Sequence, residues 1–391
     1  EGQLMSELRD LAIRHRVRIQ EVPVEKLNRL TRLNHQGVVA QIAPAVRLAV
    51  GDKFGFPKGT NTMGKLVAAL RLMGFDKVYD TNFAADLTIM EEGTELLGRI
   101  QNGGTLPMIT SCSPGWINYA EYNYGDLLGH LSSCKSPHQM QGAIIKSYYA
   151  EKNGLDPKDI FVVSIMPCTA KKMEAVREDS YTKGEKDTDA VITTTELIRM
   201  IKNAGIAFDK IESESCDMPF GIGSGAGLIF GATGGVMEAA LRTAYELITG
   251  SELENIDLHD VRGMEGIKEA SYTVGGMEIK LAVVSGTANA EKLLNKVKAG
   301  EADYHFIEVM GCPGGCVNGG GQPYQPASVR NFSDVRALRA AGLYNDDENL
   351  PVRKSHQNPD IKAIYDEFFG EPGSHKAHDI LHTGYTERKV Y

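Results

Sequence analysis

Apolar residues recur at helical spacing between Met63 and Met73, where Met63, Leu66, Val67, Leu70 and Met73 share one face. Residues 84–100 read as a second helix, and residues 1–34 as a peripheral helical segment. Between such stretches stand short apolar runs of strand length: Lys77–Asp80, LPMIT (106–110), FVVSIM (161–166), DAVITT (189–194), IKLAVVS (279–285) and YHFIEVM (304–310). Strands alternating with helices predict the α/β class, with largely parallel sheets flanked by helices in two lobes and the active site between them. From about Pro326 the chain turns polar and helical. Residues 35–325 are therefore expected to form the core, and 326–391 a helical wrap around it.

Three of the strand-like runs end in a cysteine loop. LPMIT enters SCSPGW, FVVSIM enters PCTAKK, and YHFIEVM enters GCPGGCVNGGGQP. Ligands collect beyond the carboxyl ends of strands in open α/β sheets, so the three loops are expected to converge on one site.

Composition narrows the class. The 391 residues are 42% hydrophobic and 24% charged, as in ordinary globular chains. No apolar run approaches the roughly 18 residues of a membrane span, and no signal peptide is visible. The first residue is Glu, which fits a fragment of a longer or processed chain. A net charge of −9 without a dense basic run argues against nucleic acid as the main partner. The six cysteines (Cys112, Cys134, Cys168, Cys216, Cys312 and Cys316) are too sparse for a disulfide framework and include no Cys-x2-Cys pair of the zinc type. They point to a reducing compartment, the cytoplasm, with thiols serving as ligands or acids.

Cys312 and Cys316 carry the sharpest chemistry. Two thiols four residues apart lie in a bed of glycines. Glycine lets backbone approach a bulky group and adopt positive φ, which suits an iron–sulfur cluster held by thiolates and flanked by backbone N–H groups. Cys168 alone reads as a small buried hydrophobe, although Lys171 three residues on adds a cation suited to anionic groups. Cys112 lies beside the only tryptophan, Trp116, in a turn where a tuned thiol exchanges protons. Glu92, Glu95 and Arg99 fall at i, i+3 and i+7, on one helix face. Such a face is either a solvated charged surface or a proton wire.

Together the three cysteine motifs resemble the signature motifs of FeFe-hydrogenases. QIAPAVR (41–47), LSSCKSP (131–137), GATGGVMEAALR (231–242) and RKSHQNP (353–359) extend the resemblance from about Gln41 to Tyr385. It implies reversible interconversion of protons and electrons with dihydrogen, at a four-iron four-sulfur cubane joined to a two-iron subsite with CO, cyanide and azadithiolate. Cys316 matches the cysteine bridging the two parts, and Cys168 and Cys312 match further cubane ligands. Lys171 matches a cyanide partner. Met166 and Met310 match residues packed on the subsite, and Ala43, Pro44 and Phe230 other parts of its pocket. Cys112 matches the proton-relay cysteine, with the path continuing through Ser132, Glu95 and Glu92 and leaving at Arg99. Residues 35–325 then resemble the family's large subunit and 326–391 its small subunit. A ferredoxin-type redox partner and maturation proteins for the two-iron subsite are implied.

This chain departs from the family pattern at Ser113, where a cysteine ligates the cubane. A hydroxyl is a weaker acid and a harder ligand. An alkoxide ligand, a water in its place, loss of that iron, and substitution by Cys112 all fit the sequence; a retained cubane with Ser113 ligated or close by is the expectation. His138 stands where relatives often carry glutamine, and is expected to be a neutral hydrogen-bond donor. The sequence has no ferredoxin-like module, so electrons are expected directly from a partner or through modules outside this chain. Two rivals remain: an iron–sulfur assembly or scaffold relative, and a sensory hydrogenase of low turnover.

Overall fold

The computed structural model describes residues 37–389, so the helical segment expected over 1–34 lies outside the described residues. Two four-stranded sheets organise the rest. The first has the order β2-β1-β4-β5, from Lys77–Asp80 (β2), Gly37–Ile42 (β1), Ile160–Met166 (β4) and Ala190–Thr193 (β5), all parallel. The second has the order β3-β8-β7-β6, from Met108–Ile109 (β3), Phe306–Met310 (β8), Met277–Ser285 (β7) and Ile267–Val274 (β6). Only the β6–β7 pair is antiparallel. The expected class therefore holds: α/β with largely parallel sheets flanked by helices.

Alternation along each strand sends neighbours to opposite faces. Val39 and Tyr79 join one cluster with Val162, while Ala40 and Val78 join another with Ile165, Leu66, Leu70 and Leu197. The second sheet divides likewise, with Met108, Leu281 and Phe306 on one face and Ile109, Ala282 and Ile307 on the other. Both sheets are thus covered on both faces, which explains their continuous apolar runs.

The helix Asn82–Asn102 ties the two lobes together. Phe83, Ala84 and Leu87 pack in the core of the first sheet, and Ala85, Ile89 and Leu96 in that of the second. Beyond Pro326 the described residues form helices, among them Val335–Glu348 and His375–Leu381. Ile361, Phe369, Ala377 and Leu381 share a cluster with Val39 and Val162. The C-terminal segment is therefore part of the core's packing.

Two strands escaped sequence reading. β1 was passed over, and β6 is half-exposed without a clean apolar face. The β6–β7 turn is Gly275-Gly276, both at positive φ, joining the paired Val274 and Met277. A two-residue turn of this kind requires such a conformation at both positions.

Candidate functional site

The carboxyl ends of β1, β2, β3, β4 and β8 open on one cavity. Its wall holds Ala43 and Pro44 after β1, Thr81 after β2, and Cys112 and Ser113 after β3. Met166, Cys168 and Lys171 follow from β4, and Met310, Cys312 and Cys316 from β8; His138 and Phe230 complete it. Every pocket and lysine position singled out in the sequence reaches this cavity, as do Cys112, Cys168, Cys312 and Cys316, while Cys134 and Cys216 do not. The chain brings them together because parallel strands in both sheets point the same ends inward.

The glycines around Cys312 and Cys316 have steric reasons. Gly315 has φ +91°, and a Cβ there would lie 2.8 Å from the Thr233 nitrogen. A Cβ on Gly319 would lie 2.2 Å from the Pro167 carbonyl oxygen, which packs the loop against the one carrying Cys168. Burial and the neighbouring Cys168 push the Cys312 thiol up. Burial and Cys168 also push Cys316 up, to about 12, against the opposing pull of Lys171. Three thiols gathered on one cavity wall form a donor set that a soft metal centre would deprotonate and hold. Ser113 joins them at the cavity wall, where its Oγ accepts a hydrogen bond from the Gly311 N–H at 3.0 Å.

Glu174 is a residue that sequence reading missed. Its Oε2 lies 2.8 Å from Lys171 Nζ and 2.8 Å from His138 Nδ1. Burial pushes this carboxyl up, but Lys171 and His138 outweigh it and hold it at about 2. Burial disfavours the Lys171 ammonium, yet Glu174 outweighs that and its pKa is raised. Lys171 also donates to the Cys112 carbonyl oxygen at 3.0 Å. Burial pulls His138 down, so the ring is neutral, its Nδ1–H donating to Glu174 and its Nε2 without a hydrogen-bond partner. The available signal for Glu174 was its i+3 spacing from Lys171.

From Cys112 a line of acids runs out of the cavity. Burial pushes the Cys112 thiol far up, and the charge of Glu92 adds to it. Burial likewise pushes Glu92 up, to about 8, opposed by a hydrogen bond from Ser132. The Ser132 hydroxyl donates to Glu95 Oε2 at 3.1 Å, and Arg99 Nη2 donates to Glu95 Oε1 at 2.6 Å. The spatial order is therefore Cys112, Glu92, Ser132, Glu95, Arg99. This differs from the order expected from sequence, which ran from Cys112 through Ser132, Glu95 and Glu92 to Arg99. The helix period decides it, because Glu92 is buried on the inward face while Glu95 sits one turn further out, half-buried against Arg99.

Glu92 has a testable signature. Unfolded, it releases its proton near 4.5; folded, at about 8. Between these values the folded chain holds the extra proton, so this group lowers stability as pH rises. Glu92→Gln should remove that contribution. Urea midpoints measured at about pH 5 and about pH 8 should then lie closer together than in the parent. An unchanged separation would show that Glu92 does not titrate in this window.

Comparison with known proteins follows the same outline. Residues 36–320 match the family model described as iron only hydrogenase large subunit, C-terminal domain, and residues 333–388 match iron hydrogenase small subunit. Residues 1–47 match RNA 2'-O ribose methyltransferase substrate binding, mostly outside the described residues. Iron hydrogenase 1 of Clostridium pasteurianum is 50% identical over 89% of this chain, which spans 61% of that relative's length. The periplasmic Fe hydrogenase large subunit of Nitratidesulfovibrio vulgaris is 50% identical over 78% of this chain and 73% of its own. A solved FeFe-hydrogenase variant from Chlamydomonas reinhardtii superposes with a TM-score of 0.81 at 44% identity, covering 91% of this chain and 96% of that one. A cytosolic Fe-S cluster assembly factor of Xenopus tropicalis lies further off, 31% identical over 90% of this chain and 75% of its own.

Proposed function

This chain belongs to the iron-only hydrogenases, and on that premise we propose that it interconverts protons and electrons with dihydrogen. The observation that carries the reading is the meeting, at one cavity, of three thiols, a fixed ammonium and a line of buried acids. The residues fit the H-cluster: Cys168, Cys312 and Cys316 form a thiol set in a glycine-lined bed that would hold the cubane, with Ser113 beside them on the cavity wall. When bound, the cubane and its two-iron subsite with CO, cyanide and azadithiolate supply the electron transfer and the making and breaking of the H–H bond.

The chain's own residues do the rest. Cys316 would help to hold the cluster, and Lys171, held by Glu174, would offer its ammonium to an anionic ligand of it. Met166, Met310, Phe230, Ala43 and Pro44 keep water out. Cys112 passes protons to Glu92, Ser132 and Glu95, and Arg99 marks the exit. A ferredoxin-type protein exchanges electrons, and maturation proteins install the two-iron subsite. A reducing compartment, the cytoplasm, suits its free cysteines. An assembly or scaffold role would leave the Lys171–Glu174 pair and the acid line without a task, so hydrogenase chemistry is the better reading.

Loading the two-iron subsite and measuring dihydrogen evolution tests the function. Turnover with infrared bands of CO and cyanide is expected. Bands without turnover would favour a sensory role, and absence of both would overturn the reading. Ser113 has its own test, in electron paramagnetic resonance and potential of the reduced cluster beside Ser113→Cys. The two are expected to differ, because oxygen is a harder ligand than sulfur. Identical spectra and potentials would remove Ser113 from the cluster's surroundings.

A further inference from the structure

Cys134, Glu95 and His382 form a second cluster of donors, outside the cavity. Cys134 Sγ lies 3.9 Å from Glu95 Oε2 and 4.0 Å from His382 Nδ1. The backbone holds this arrangement. Cys134 and His382 are partners in an antiparallel bridge, flanked by Lys135 N–H to the Leu381 carbonyl at 2.8 Å and Thr383 N–H to the Ser133 carbonyl at 2.7 Å. Glu95 comes from the long helix that joins the lobes.

The outer surroundings of His382 are those of a metal ligand. Its Nε2 lies 3.0 Å from Glu91 Oε2, and buried Glu91 also accepts from the Tyr365 hydroxyl and from Gly373 N–H. A carboxylate on Nε2 fixes the tautomer with the proton there, leaving the Nδ1 lone pair facing Glu95 and Cys134. Metal-binding histidines are oriented in the same way. The Ser133 hydroxyl, 2.8 Å from Nδ1 and 3.1 Å from Glu95 Oε2, bridges two acceptors with its single proton. The surroundings are also short of positive charge: Glu91, Glu92 and Glu95 all bear on Cys134, and burial and these charges push its thiol far up. Arg99 is engaged on the other oxygen of Glu95.

We propose that Cys134 Sγ, Glu95 Oε2 and His382 Nδ1 bind a zinc-like divalent cation, with Ser133 Oγ or a water as fourth ligand, and that its occupancy closes the proton path at Glu95. The mixed sulfur, nitrogen and oxygen set selects a borderline-soft ion over magnesium or calcium. Tetrahedral bonds of about 2.0–2.3 Å need ligand–ligand edges of about 3.3–3.8 Å, so the two sulfur edges contract by only a few tenths of an ångström. Binding releases the Cys134 thiol proton to solvent, and one thiolate with one carboxylate neutralises the ion. The Glu95 side chain keeps 15% exposure, which gives the ion a way in. Glu95 Oε2 is also the atom that accepts from Ser132, so coordinating it removes the acceptor from the path. This last step rests on the relay proposed above; the binding site does not.

The test uses protein with its cubane in place, so that Cys168, Cys312 and Cys316 are taken. Dialysis against Zn2+ should leave one added equivalent, with one sulfur and three nitrogen or oxygen neighbours by zinc-edge X-ray absorption. In Cys134→Ser the sulfur shell should vanish, and in His382→Asn the affinity should fall at least about tenfold. Unchanged infrared bands would show that both variants keep the cavity. Saturating Zn2+ should cut turnover about 10²-fold in the parent and far less in either variant. No stoichiometric zinc, or a sulfur shell that survives in Cys134→Ser, overturns the site. Zinc bound through Cys134 with turnover unchanged supports the site and overturns the closing of the path, and with it the relay through Glu95.

Discussion

Cys112→Ala should lower dihydrogen turnover by about 10²–10⁴-fold while leaving the infrared bands of the cofactor unchanged. The reason is position and acidity together. Cys112 lines the cavity, and the buried Glu92 bears on it electrostatically from the far side. Burial keeps the thiol and the Glu92 carboxyl protonated near neutral pH, so each holds a proton to pass on and accepts one only after giving its own. Alanine removes the first carrier and touches no proposed cluster ligand. Cys112→Ser should also lose most of the activity although the side chain keeps its shape, because a hydroxyl is a far weaker acid. Glu92→Gln should fall into the same range. If alanine at 112 turned over like the parent, protons would be leaving by another route and the acid line would be structural.

The site was legible for a topological reason. Each cysteine loop follows a short apolar run, and parallel strands put such loops at one end of a sheet. The distribution of buried charge was harder to read. Glu174 appears in sequence as one more charge in a Lys-Lys-Met-Glu run, yet it orients both Lys171 and His138. Glu308 interrupts YHFIEVM, and this was a usable signal. It is fully buried and accepts from Gly234 N–H at 2.6 Å and Met237 N–H at 2.8 Å, holding the start of the helix Gly235–Thr249. The direction of the acid line depended on which face of a 21-residue helix turns inward, and spacing alone does not choose. β6 was missed because its burial alternates weakly, although the Gly-Gly turn after it was visible.

Arg242→Met should destabilise the fold by about 3–5 kcal/mol. The Arg242 side chain is wholly buried and uses its guanidinium completely. It donates to Glu238 Oε1 at 2.7 Å, to Asp347 Oδ1 and Oδ2 at 3.0 and 2.9 Å, and to the carbonyls of Ile256 and Arg353. Arg262 pairs with Glu238 and Asp257, and Arg353 with Asp257 and Asp347, so three guanidinium groups balance three carboxylates. This network joins the helix Gly235–Thr249 to the C-terminal helix Val335–Glu348. Methionine would fill much of the volume but leave Glu238 and Asp347 charged and short of partners, where breaking a buried pair costs most. Arg242→Lys should rescue only part, since an ammonium has three donors for a site that takes five contacts. The pH dependence separates this account from simple loss of packing. Burial pushes Asp347 up, but Arg242 and Arg353 outweigh it, so its folded pKa lies below the ordinary carboxylate value. A depressed carboxylate contributes stability that is present above its unfolded pKa and lost as pH falls through the folded one. Without Arg242 that contribution shrinks, and protonated Asp347 no longer needs a cation. The deficit of Arg242→Met, measured by urea unfolding, should therefore be largest from neutral pH down to about pH 4 and diminish below it, as pH falls toward the depressed folded value of Asp347. A deficit that kept its size below about pH 4 would mean that packing, and not the charge pairing, holds the C-terminal segment to the core.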